Sequence, residues 1–234
     1  MAISWATFIF GPQLQLGNQQ PGQTVSVTSV PTSYPNNMPG LARQGAQVYR
    51  ANGCDYCHTE QVRPAGLGSD LSRGWGLRRS VAHDYIYEEP VLLGDLRVGP
   101  DLANAGSRMD TKAVLQRLYE PRSFPGNDRS VMPSYRYLFE VRPIGRNPSP
   151  DALVIPTPFT PPAGYEIVPR PAAYALAAYV ANLRQDEYLF EVPPPTNALG
   201  TNVMLAAKNA PPAGTNAPAA STNIPVAATN APAK

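Results

Sequence analysis

An all-α fold is predicted for this 234-residue chain by two segments far apart in sequence, 41–53 and 171–184, that carry apolar or small residues at helical spacing. A third, over 110–120, does the same behind an Asp110 N-cap, with Val114, Leu115 and Leu118 facing inward. No strand–helix–strand alternation runs between them. Composition adds that the domain is modest and its extensions long: there are 28 prolines and 18 glycines, and only 15% of residues are charged. The net charge is +2 and the lysines and arginines are scattered, without a basic stripe or polybasic tail, which excludes nucleic acid as a partner.

Residues 1–39 read as an N-terminal spacer. The apolar run Ile3–Phe10 is far shorter than the roughly 20 residues that span a bilayer. It also lacks the charged start and small-residue cleavage site of a signal peptide. Two readings stay open for it: the outer end of a membrane anchor whose upstream part is not in this chain, or a frayed or core-docked terminus. From Gly11 to Pro39 the Gly and Pro positions break any long periodicity.

The folded domain is expected over 40–190. Its first helix places Leu41, Gln44, Gly45, Val48 and Tyr49 on one face and ends at Gly53, a C-cap residue. Gly45 costs about 1 kcal/mol relative to alanine inside a helix, so a close neighbour is needed to explain it. The segment from Pro171 to Arg184 supplies one: proline starts it, Leu176, Tyr179, Val180 and Leu183 share a face, and its alanines admit a backbone at short range. Gly45, Tyr49 and Tyr179 are therefore read as buried structural residues. Residues 63–95 form a long irregular insertion whose Arg73, Arg78, Arg79, Trp75, Tyr85 and Tyr87 favour an interaction surface. Residues 141–170 hold eight prolines and read as a belt around the domain. Residues 191–234 are a Pro/Ala/Thr/Asn-rich tail, too poor in apolar surface to order itself.

The chemistry is concentrated in Cys54-Asp55-Tyr56-Cys57-His58, which contains both cysteines of the chain. Two cysteines three apart with histidine next is the attachment signature of a c-type haem, in which the sulfurs add to the vinyl groups and the histidine ligates iron. A sixth ligand must come from elsewhere, and His83, Met109 and Met132 are the candidates. Met132 is preferred, because Pro133 stiffens its loop and helps aim the sulfur. His83 is expected at the surface of the insertion, and Met109 buried at the start of the short helix. The second ring nitrogen of His58 needs a carbonyl acceptor, and Gly99-Pro100-Asp101-Leu102 offers that of Pro100. Haem carboxylates want arginine, for which Arg108, Arg63 and Arg97 are available. A zinc site from Cys54, Cys57, His58 and His83 fits poorly, since adjacent cysteine and histidine hardly reach one tetrahedral ion. No catalytic constellation is found, and Glu88-Glu89 reads as a solvated face.

The succession Gly45, Tyr49, Cys54, Cys57-His58, Gly99-Pro100-Asp101-Leu102, Arg108, Met132-Pro133 and a closing Ala-Tyr-Val helix resembles the mitochondrial-type cytochrome c domain. His58-Thr59-Glu60-Gln61-Val62-Arg63-Pro64, the insertion, Arg97–Ala103 and Met132–Tyr135 make the chain similar, over about residues 40–185, to the mono-haem subunit II of cbb3-type cytochrome c oxidases. The resemblance implies the cytochrome c fold and one haem c held by Cys54 and Cys57. It makes His58 and Met132 the axial ligands, Pro100 the acceptor from His58 and Arg108 a propionate contact. It also implies electron relay to the oxidase catalytic subunit, with other cytochrome c subunits as partners, on the periplasmic side of the bacterial inner membrane. Membrane association would come through partners or an anchor of which only the stub at 3–10 is present. Glu60 stands where the family commonly has glutamine, and the tail has no counterpart. The alternative is a free-standing or tethered c-type electron carrier, in which the insertion at 63–95 would not be buried against partners.

Overall fold

The computed structural model describes residues 2–17, 19–20, 34–187, 189 and 191–192, all within the unit Met1–Thr196. Apart from Glu191 and Val192, the expected tail over 191–234 lies outside the described residues, as does the spacer over 21–33. The N-terminal residues are helical: Ala2–Trp5 is α, Ala6–Phe10 is a π-turn and Gly11–Leu16 is α again. Gly11-Pro12, expected to break structure, instead opens the last of these segments, where proline's missing N–H is least costly. No described helix is long and apolar enough to cross a membrane.

The core is built on two helices, Gly40–Ala51 and Pro171–Asn182, that cross where both are small. Gly45 lies so close to the Ala175 carbonyl and the Tyr179 Cβ that a methyl group there would collide with both. The Tyr49 and Tyr179 rings meet beside the crossing at a tilted angle of 59°, with centroids 5.3 Å apart. This contact turns the first helix slightly from the expected face: Ala42, Gly45 and Tyr49 are buried, whereas Leu41 is 49% exposed. The short helix Thr111–Tyr119 packs on the closing helix through Val114, Leu115 and Leu118. Asp110 caps it by accepting from the Ala113 N–H at 2.7 Å.

The all-α expectation is overturned by a two-stranded antiparallel sheet, and the content is mixed α and β. Strand β1 (Phe139–Pro143) pairs with β2 (Tyr165–Pro169), from Phe139 opposite Pro169 to Pro143 opposite Tyr165. Phe139 and Ile167 point into the core, while Glu140 and Val141 face outward. The eight prolines of this region obscured the strands, yet Pro143 and Pro169 sit at strand ends, where a missing ladder donor costs little. Glu166 ties the intervening loop to the sheet, accepting from Arg142 Nε at 2.9 Å and from the Ser149 N–H at 2.6 Å.

Apart from one 3₁₀ turn at Ala82–Tyr85, the insertion over 63–95 is irregular, and it is held by side chains. His83, expected at its surface, is 5% exposed, with Nδ1 at 2.8 Å from Gln19 Oε1 and Nε2 at 3.2 Å from the Tyr34 carbonyl. Arg78 and Asp84 form a buried pair at 2.6 Å, and the Tyr34 hydroxyl donates to the same carboxylate at 2.5 Å. Glu88, expected to be solvated, is half-buried and one of its oxygens has no partner.

Burial, with Asp84 adding to it, pushes the Glu88 carboxyl up to about 7, and a bond from the Leu92 N–H offsets only part of this. The folded chain therefore keeps a proton that the unfolded chain releases near 4.5. The resulting stability is complete below that value and is lost as pH rises through 7, by about 3 kcal/mol at most. Urea unfolding should show a stability decline from about pH 5 to about pH 8 that flattens in Glu88→Gln. Identical pH slopes in the two proteins would refute this assignment.

Candidate haem site

Gly53, in the left-handed region at φ 65°, ends the first helix and turns the chain into the tight turn Cys54–Tyr56. The Cys54 carbonyl accepts from the N–H groups of Cys57 at 3.2 Å and His58 at 2.9 Å, so one turn presents all three motif residues. Both thiols are free, with Cys54 buried and Cys57 exposed. His58 Nδ1 lies 2.8 Å from the carbonyl oxygen of Pro100. A carbonyl only accepts, so the ring proton sits on Nδ1 and Nε2 keeps its lone pair. Burial lowers the imidazole's pKa, which favours this neutral form. Gly99 lies flat against the ring, with no room for a Cβ.

The segment that carries His58 is aligned by Asp101, which is fully buried. One carboxylate oxygen accepts from the Thr59 hydroxyl at 2.7 Å and the Gln61 N–H at 2.9 Å, and the other from the Ala103 N–H at 3.0 Å. Backbone bonds from Gly99 N to the Cys57 carbonyl and from Leu102 N to the Thr59 carbonyl complete the seam, at 2.9 and 2.7 Å. Asp101 carried no assignment in the sequence reading; its place directly after Pro100 was the only local signal.

Met132 is half-buried and packs against the same core as Cys54 and Leu102. Two tyrosines just beyond it bind its segment to the motif. The Tyr137 hydroxyl donates to Asn52 Oδ1, and the Tyr135 hydroxyl meets the Cys54 thiol. Met109 is also half-buried against this core, whereas both nitrogens of His83 are engaged by Gln19 and Tyr34.

The arginines are distributed differently among themselves. Arg63 and Arg97 share Asp70, at 2.7 and 2.5 Å, and Arg97 also donates to the Gln61 carbonyl. Burial alone would raise the Asp70 carboxyl, but these bonds hold it well below the usual carboxylate range. Arg108 donates to the carbonyls of Asp101 at 2.5 Å and Asn104 at 3.2 Å. A cavity of about 500 Å³ lies elsewhere, lined among others by Tyr34, Met38, Leu77, Tyr87, Glu88 and Arg184, and none of the predicted site residues borders it.

Two unpaired thiols, an oriented neutral imidazole and a thioether on a segment bound to the same turn form a donor set that fits a haem. A sequence family described as cytochrome c oxidase, mono-heme subunit/FixO matches residues 21–149. The chain belongs to this family. It is thus a cytochrome c oxidase subunit of the mono-haem type, with electron transport as its setting and oxidase subunits as its partners. The matched stretch includes the haem motif, the insertion, the Gly99–Leu102 loop and Met132. None of the curated proteins matches the chain.

Truncating Asp101 would leave the buried Thr59 hydroxyl and the N–H groups of Gln61 and Ala103 without this acceptor. Asp101→Ala should lower stability by about 3 kcal/mol and reduce haem content per chain, as read by urea unfolding and absorbance. Wild-type values on both would show that the seam does not depend on this carboxylate.

Proposed function

We propose that the chain carries one haem c bound covalently through Cys54 and Cys57 and passes single electrons to the catalytic subunit of a cbb3-type haem-copper oxidase, on the periplasmic side of a bacterial inner membrane. His58 and Met132 would hold the haem iron. Pro100 fixes the His58 tautomer, Arg108 contributes charge toward the haem carboxylates, and Arg63 is a second, partly exposed source of such charge. The haem, when bound, supplies the one-electron chemistry, and the protein supplies ligands, burial and orientation. Attachment to the membrane comes through partner subunits.

The observation that carries the reading is the bond from His58 Nδ1 to Pro100, on the turn that also presents both free thiols. Family membership supports the oxidase setting. Tyr56, Leu96, Val98, Val131 and Tyr137, all from the loops around the candidate ligands, are more than half exposed, which suits surface that a partner covers.

Protein made with the c-type maturation machinery should give a pyridine haemochrome that stays with the chain after acid-acetone extraction, at one haem per chain. Extractable haem, or none, would overturn the covalent assignment. Purification of the chain from native membranes should bring down an intact oxidase complex. A haem-loaded chain that never co-purifies with one would favour the free-standing carrier.

A further inference from the structure

Glu120 stands at the C-terminus of the short helix and is 1% exposed. One of its oxygens pairs with Arg122 Nε at 2.9 Å. The other accepts from the Ser134 hydroxyl at 2.9 Å and from Arg136 Nη2 at 2.6 Å. The Arg122 guanidinium faces two ways. Beyond the carboxylate, its Nη2 donates to Ser134 Oγ at 2.8 Å, and its Nη1 reaches the carbonyls of Ser130 and Met132 at 3.4 and 3.3 Å. The backbone of residues 130–134 is thus gripped on both sides of Met132, and the Tyr135 N–H closes it onto the Leu118 carbonyl at 2.7 Å.

A thioether is a neutral, weak donor, and whether it keeps its place depends on how little freedom its loop has to leave. The loop here belongs to neither strand of the sheet, so the usual backbone ladder does not restrain it. Charge-assisted bonds to a buried carboxylate take over that task, and they are about twice as strong as neutral ones.

We propose that Glu120 and Arg122 are positioning residues for the candidate iron ligand Met132, holding its loop so that the sulfur resists displacement. This rests on the reading of Met132 as an axial ligand. A purely structural role for the pair, capping the end of the short helix, would make ligand loss and unfolding coincide. A positioning role separates them.

The test uses the haem-loaded protein and follows two signals through a urea titration: the near-infrared sulfur-to-iron band and the far-ultraviolet dichroism of the helices. In Arg122→Gln the band should vanish at lower urea than the helices do, with about a tenfold larger fraction of displaced methionine below the unfolding transition than in wild type. Arg122→Lys, which keeps the charge but loses the fork, should fall between the two. Ser134→Ala removes one bond to each partner and should shift the band in the same direction, so it decides the matter if Arg122→Gln does not accumulate. A gap between the two signals that stays at its wild-type size in these variants would overturn the positioning role alone. A wild-type band that is absent, or that survives Met132→Ala, would overturn the ligand reading and this inference with it.

Discussion

An imidazole with one nitrogen turned to a carbonyl oxygen can hold its proton only there, and its other nitrogen is left free to bind a metal. In this chain that bond joins His58 to Pro100, two residues 42 positions apart. Keeping them together requires the 57–61 segment and the 99–103 loop to stay in register, and no helix or sheet does this. The register comes from Asp101, which holds groups on both segments, and from glycine at Gly99 and Gly94, where a side chain would strike His58 itself. Upstream, the Gly45 crossing seats the first helix against the closing one, and Gly53 ends that helix where the motif begins. A displacement at either contact would reach the imidazole.

The same device recurs across the chain. Asp70 closes the turn after the motif through Arg63 and Arg97. Asp84 joins Arg78 to Tyr34, Glu120 gathers the Met132 loop, and Glu166 ties the loop between the strands. Each is a buried carboxylate that serves backbone or side-chain donors from an irregular segment. Such groups contribute little as isolated pairs, because desolvation offsets much of the attraction. Their effect is on uniqueness: removing one leaves several buried donors unpaired, so only one arrangement of the loop satisfies them all. In a domain where loops outweigh ladders, carboxylates do what strands do elsewhere.

What could be read from the sequence follows from this division. The helices were legible because their signals are local: a cap at Asp110, a proline at Pro171, apolar spacing between. The haem motif was legible for the same reason, and Pro100 followed from a general need of metal-bound histidine. The strands were missed because the prolines that mark a belt also sit harmlessly at strand ends. His83 and Glu88 were misplaced because their partners, Gln19, Tyr34, Asp84 and Leu92, lie on other segments or gain meaning only when the insertion folds back. The carboxylate hubs were invisible on the same ground: an aspartate in a loop looks solvated until the donors around it are known.

Glu60 shows how such a residue can depart from a family pattern without breaking the fold. It is 1% exposed, and the Tyr179 hydroxyl lies 2.9 and 2.7 Å from its two oxygens, joining the segment after the motif to the closing helix. An ionised carboxylate there would face both desolvation and the charge of Glu88, and these raise its pKa well above the ordinary value, with the tyrosine bond opposing them. The surroundings therefore favour the protonated group, a carboxylic acid with one donor and one acceptor edge and no charge. Glutamine, common at this position in the proteins the chain resembles, offers the same size, the same neutrality and the same pair of edges. The acid suits the place of the amide because burial beneath the two core helices favours its protonated form over its charged one.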